Sequence, residues 1–157
     1  MRRFFRKRLP AFLLTLVMVM TMAPAVSAKS SADIEYEVDA GEVVNFDISK
    51  FTDYYDENRD DNLSYLRFTS ASGLDSCGQL YAYDYSRDEV TLDEDDLGSA
   101  YFYVSRSDMS RGDYRLNGMN FLAGKRSNGE TVDLTFQMRG DNGGKLTGIL
   151  RIVIGKT

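Results

Sequence analysis

Along most of the chain, apolar and polar residues alternate with a period of two. Ile34, Tyr36 and Val38 fall on one side and Glu35, Glu37 and Asp39 on the other, which is the pattern of a strand with one buried and one charged face. After a turn at Ala40-Gly41-Glu42, Val44, Phe46 and Ile48 repeat it. A strand expected over 63–69 sets Leu66 and Phe68 against Tyr65 and Arg67. Further strands are expected over 79–85, 101–104 and 115–122, with a Ser/Gly-rich loop over 70–78. The clearest strand comes late: Val132, Leu134, Phe136 and Met138 alternate with Asp133, Thr135, Gln137 and Arg139. Gly140-Asp141-Asn142-Gly143-Gly144 then supplies residues that tolerate the positive φ of a hairpin loop, and 146–154 follows as the partner strand. Residues 49–55 predict only a short helical turn, with Ser49 as its cap and Phe51 inward. Residues 56–62 predict a charged loop. About eight short strands with no helix of consequence predict an all-β fold, an antiparallel β-sandwich.

The first 28 residues break this pattern. Arg2, Arg3, Arg6, Lys7 and Arg8 precede a stretch from Ala11 to Met22 that is apolar except for two threonines. A basic start, an apolar run and then Ala25-Val26-Ser27-Ala28 is the order of a secretory signal peptide, with cleavage expected after Ala28. The apolar run is shorter than the roughly 20 residues of a spanning helix, so no membrane span is expected in the mature chain. Arg2-Arg3 also resembles a twin-arginine signal, but the strongly apolar run favours the general secretory route. Residues 29–33 read as a flexible lead-in and 34–157 as one domain, and the protein is expected to be secreted or held at the cell surface.

Charge sharpens this picture. The first 28 residues hold five of the 19 Lys and Arg and none of the 24 Asp and Glu, so the remaining 129 carry a formal charge of −10. Such a surface repels phosphate backbones, and nucleic acid is not an expected partner. Cys77 is the only cysteine, which excludes an intramolecular disulfide, and there is no histidine. The missing histidine removes His-based nucleophile activation and His metal ligands. No catalytic residues are assigned, and the chain is not expected to be an enzyme.

The order of these segments carries a resemblance. Ile34 to Gly41, Val44-Asn45-Phe46, Leu63 to Thr69, Gly78-Gln79-Leu80-Tyr81 and Tyr101-Phe102-Tyr103 resemble an immunoglobulin-like, cadherin-like repeat of bacterial surface and S-layer-associated proteins. Val132 to Phe136, the Asn142-Gly143 turn and Leu146 to Ile154 resemble its terminal hairpin. The resemblance implies an immunoglobulin-like sandwich used as a non-catalytic spacer or adhesive unit, touching surface proteins or cell-wall and matrix glycans. Members of that family usually stand in tandem beside wall-anchoring modules, whereas this sequence holds one copy and no LPxTG-type motif.

Two groups of residues are candidate sites. Tyr81, Tyr83 and Tyr85 fall on one face of a strand, and Tyr101 and Tyr103 on one face of another. Exposed and adjacent, they would form an aromatic platform for sugar rings, which makes a carbohydrate-binding module the alternative function. Cross-strand packing is the competing explanation, and it gains from the absence of Trp. Asp56, Asn58 and Asp60 have the spacing that opens a calcium loop. However, Asp61 stands where the turn glycine belongs and Arg67 where the bidentate Glu belongs, so a solvated acidic loop competes with a calcium site. Asp93 to Asp96 form a denser acidic run that also reads as hydrated surface. Cys77 reads as an unpaired bystander thiol.

Overall fold

The alternation at 34–38 builds strand β1 (Ile34–Val38), with Ile34, Tyr36 and Val38 buried and the two glutamates exposed. The computed structural model describes residues 31–155, and among these ten strands form two sheets. The larger sheet places β1 beside β10 (Lys145–Ile154), followed by β9 (Thr131–Gly140), β3 (Leu63–Ser72), β6 (Phe102–Tyr103) and β7 (Tyr114–Arg115). The smaller sheet runs β2 (Val43–Asn45), β8 (Asn120–Ala123), β4 (Gly78–Tyr83) and β5 (Glu89–Leu92). The expected signal peptide, with its cleavage point at Ala28, lies outside the described residues.

The fold is mostly β, but it is not wholly antiparallel. Strand β1 runs parallel to β10, with Ile34 opposite Leu150 and Val38 opposite Ile154, and β6 runs parallel to β7. Strands that meet after a long excursion of the chain are free of the hairpin constraint that makes neighbours antiparallel. Asp33, at the end of the expected lead-in, is tied down too. Its backbone N–H donates to Ile149 O at 2.9 Å, and its carboxylate accepts from Ile149 N at 2.9 Å.

A real helix replaces the expected short turn: α1 spans Ile48–Asn58. Ile48, Phe51, Tyr54 and Tyr55 share one stripe at helical spacing, and Phe51 and Tyr55 are fully buried. The cap is Asp47 rather than Ser49, because the Asp47 carboxylate accepts from Ser49 N at 3.0 Å. The charged segment after Tyr55 begins as the solvated last turn of α1, so the expected loop over 56–62 starts only past Asn58. Other boundaries moved as well. Strand β3 continues to Ser72, and a helical turn α2 (Leu74–Cys77) occupies the rest of the expected loop. Strand β5 has no counterpart in the sequence reading. The single strand expected over 115–122 divides into β7 and β8, with Leu116 and Met119 buried between them and Gly118 at φ +93°.

One set of buried side chains joins the two sheets. It includes Leu134, Phe136, Leu150, Ile152, Phe68 and Phe102 from the larger sheet and Leu80, Ala82, Leu92 and Phe121 from the smaller. Helix α1 adds Phe51, whose ring meets Phe46 and Phe136, each at 6.4 Å between centroids. Each fully buried Leu or Phe stabilises by about 1.5–3 kcal/mol relative to exposure. Because alternate residues of β9 and β10 are committed inward, the intervening residues must form the opposite face. That face carries the chemistry described next.

Candidate functional site

The residues between the buried positions of the larger sheet are half-buried or exposed and project from its outer face. Sheet register places them in lateral rows. In one row Lys145 stands opposite Arg139, Arg139 opposite Tyr65, Tyr65 opposite Tyr103, and Tyr103 opposite Arg115. The row crosses β10, β9, β3, β6 and β7. In the next row Thr147 faces Gln137 and Gln137 faces Arg67. Tyr101, just before β6, completes the group, with the Arg67 guanidinium 5.7 Å from its ring centroid.

The tyrosines of this face touch each other. The Tyr65 ring lies 5.1 Å from Tyr103 and 5.4 Å, edge to face, from Tyr101. Such pairs add about 0.5–1.5 kcal/mol beyond burial and hold the rings at fixed angles. Tyr101 is 39% exposed, whereas Tyr65 and Tyr103 are half-buried. Burial raises the pKa of the Tyr103 hydroxyl, and the nearby charge of Asp113 pushes it the same way, so at neutral pH Tyr103 is a neutral donor. Arg67 donates to Gly98 O at 3.2 Å. Among the described residues, the side chains of Arg115, Arg139 and Lys145 have no ion pair or hydrogen-bond partner. Arg151 pairs with Asp133 at 2.8 Å, further along the same face.

The expected five-tyrosine platform does not assemble as one surface. Tyr81 and Tyr83 share the outer face of β4 in the smaller sheet, while Tyr101 and Tyr103 belong to the larger. Tyr81 donates to Gln79 Oε1 at 2.6 Å, and the Tyr83 ring lies against Gly118. Tyr85 falls in the turn beyond β4, where the Arg106 guanidinium sits 4.7 Å from its ring centroid and donates to its carbonyl at 2.7 Å. The partner of Tyr101 and Tyr103 is Tyr65, which the sequence reading left out of the candidate set. Only the pairing of β3 with β6 reveals it.

The acidic candidates are placed differently from a cation loop. Asp56 and Asn58 lie on the last turn of α1, where residues two apart point to different sides, and the Asn58 amide donates to Tyr54 O at 2.8 Å. Asp60 stands beyond the helix on an exposed bend. The run at 93–96 is spent on capping a helical turn, α3 (Glu94–Leu97). Asp93 accepts from Asp96 N at 2.8 Å, and Asp96 accepts from Asp93 N at 3.0 Å. Glu94 accepts from Asp75 N while its own N–H donates to the Asp75 carboxylate, both at 3.1 Å. Among the described residues, no three or more acidic or thiol side chains are grouped to hold a metal ion.

Cys77 borders a cleft of about 260 Å³ lined also by Gly41, Asp75, Leu122 and Lys125. The residue is only 5% exposed, and its thiol lies 3.7 Å from the Ser76 hydroxyl. No helix among the described residues is long and apolar enough to cross a membrane. Comparisons with protein-family models, curated proteins and solved structures give no match.

Proposed function

We propose that this chain is an exported, non-catalytic β-sandwich module of the immunoglobulin-like kind. It works at or outside the cell surface, in structural or adhesive contacts with surface proteins or envelope glycans. The reading is carried by the two-sided character of the larger sheet. Its inner face is packed into a core shared with the smaller sheet, while its outer face keeps Tyr, Arg, Thr and Gln side chains in contact with solvent. A rigid sheet face of that composition suits binding without chemistry. The basic and apolar N-terminal stretch supports export, and the order of strand segments supports the immunoglobulin-like assignment.

Fractionation of the producing cells tests the reading. The chain is expected in the medium or envelope fraction, beginning at Lys29, and its binding to washed envelope fragments is expected to saturate. Full-length chain confined to the cytoplasm would refute export, and a lack of saturable binding would refute adhesion. Glycan binding is the second reading, favoured by the contact of Tyr65 with both Tyr101 and Tyr103 beside Arg67.

A further inference from the structure

We infer that the outer face of the larger sheet is a binding surface for an acidic polysaccharide, one whose sugar rings carry carboxylates. The inference deepens the glycan reading above and takes from the export proposal only the place where such a polymer would be met.

Register supplies the shape of the surface. The row Lys145, Arg139, Tyr65, Tyr103, Arg115 crosses four strand-to-strand steps, about 19 Å at about 4.8 Å each. Two rings occupy its middle and cations its ends. Arg67 and Tyr101 widen it on one side. A sugar ring presents a flat patch of C–H groups bordered by hydroxyls, which Tyr matches with a flat apolar ring and a polar tip. A guanidinium presents parallel N–H donors that match a carboxylate. Tyrosine in the middle and arginine on both sides therefore suits a polymer in which rings and carboxylates alternate.

Charge selects the ligand further. In a chain whose acidic residues outnumber its basic ones by 24 to 19, the part of this face around the tyrosines gathers Arg67, Arg115, Arg139 and Lys145, while its acids, Asp133 paired with Arg151 and Glu35 and Glu37 of β1, stand toward the other end of β10. Three of these cations, Arg115, Arg139 and Lys145, have no partner among the described residues. Asp108 and Asp113 lie close enough to Tyr103 to raise its pKa, and the Asp61 carboxylate accepts from Gly144 N beside Lys145, so carboxylates border the row at both ends. A nucleic acid carries its charge on phosphates set apart from its bases. A polyuronate carries its charge on rings that themselves make contact. An acidic peptide would find a sheet face with no free backbone groups, whereas extended peptides bind through backbone pairing at sheet edges.

The test measures binding of the purified chain to a galacturonate hexamer by calorimetry at low and high salt. A neutral glucose hexamer, poly-glutamate and a single-stranded oligonucleotide serve as comparators. The hexamer is expected to bind, to weaken with salt, and to bind at least about tenfold more tightly than each comparator. Arg139→Gln and Arg115→Gln, both on the outer face, are each expected to weaken it about tenfold, and Tyr65→Ala to abolish it. Tyr81→Ala, on the smaller sheet, should leave it unchanged. If Tyr65→Ala does not fold, the two arginine variants still decide. The inference is overturned if the folded chain does not bind the hexamer, or if any comparator binds as tightly. Equal affinity in both arginine variants, or loss in Tyr81→Ala, overturns it too. Because binding is measured on purified protein, cytoplasmic chain that still binds the hexamer would sink the export proposal and leave this one standing.

Discussion

The phenolic hydroxyl of Tyr55 donates to the carboxylate of Asp61 at 2.6 Å, and this bond fastens α1 to the hairpin between β9 and β10. The same carboxylate accepts from the backbone N–H of Asn142 at 2.9 Å and of Gly144 at 3.1 Å. A Cβ on Gly144 would collide with both Tyr55 and Asp61, so the loop has room for the carboxylate only because glycine stands there. The Tyr55 bond, joined by the two backbone N–H groups, holds the Asp61 carboxyl below its ordinary value. The folded state therefore binds fewer protons than the unfolded one just below about pH 4. The pin's contribution is complete above that point and is lost as pH falls through the folded-state value. Denaturant melts between pH 2 and 6 are expected to show an acid limb that flattens in Asp61→Asn. At neutral pH Tyr55→Phe is expected to cost about 1–2 kcal/mol. An unchanged acid limb in Asp61→Asn would show that other carboxylates control it.

Alkali acts on the other side of the same bond. Burial pushes the Tyr55 hydroxyl up to about 12, with the Asp61 charge adding to it, and burial likewise raises Tyr36 to about 12. An unfolded tyrosine loses its proton near pH 10. Between about 10 and 12 the folded state thus holds protons that the unfolded state has released, and stability falls as pH rises through that window. Ultraviolet titration of the ten tyrosines is expected to show late ionisation that coincides with unfolding, reduced by one residue in Tyr55→Phe. Ionisation of all ten near pH 10 in folded protein would contradict it.

How far these features could be read from the sequence depends on the range of the physics involved. The inward positions of β1 and β9 follow from period-two alternation, which is local, and the loop at 140–144 follows from residue chemistry, whereas β10 is legible only as an apolar partner strand whose inward positions are set by its pairing with β9. Helix α1 was also written locally, in Ile48, Phe51, Tyr54 and Tyr55. Its start was read one strand-like step too late, because Phe46 and Ile48 continue the alternation of Val44 and hide the cap at Asp47. The parallel union of β1 with β10 left no local mark. The same holds for the row from Lys145 to Arg115, whose members come from five strands and meet only through register. The sequence places Tyr101 and Tyr103 on one strand face, as a platform if exposed or as cross-strand packing, but Tyr65, legible only as an outward strand residue, gains its meaning from a pairing almost forty residues away.

Cys77 provides a probe of opening. At 5% exposure its thiol is shielded, although it borders an open cleft. Native protein is expected to react with a maleimide only through unfolding, which for an ordinary domain slows the reaction at least about a thousandfold relative to denatured chain. The rate should rise in step with denaturant and in Tyr55→Phe. Rapid labelling of native protein would mean that α2 opens locally.

Gly148 tests how tightly the core beneath the outer face of the larger sheet is built. It lies on the inner side of β10, directly opposite Phe136 of β9. A Cβ there would come 2.6 Å from Phe136 Cζ and 2.9 Å from its Cε1. The ring has little freedom to withdraw, because Phe51 meets it at 6.4 Å and Tyr54 at 6.0 Å, both edge to face. Gly148→Ala should therefore destabilise by about 1–3 kcal/mol despite removing a flexible residue from a strand. Thr147→Ala, one residue away on the exposed outer face, should stay within about 0.5 kcal/mol. Chemical denaturation of both variants decides the point. A Gly148→Ala protein as stable as the parent would mean that Phe136 can shift, and with it the aromatic cluster that seats α1 against the larger sheet.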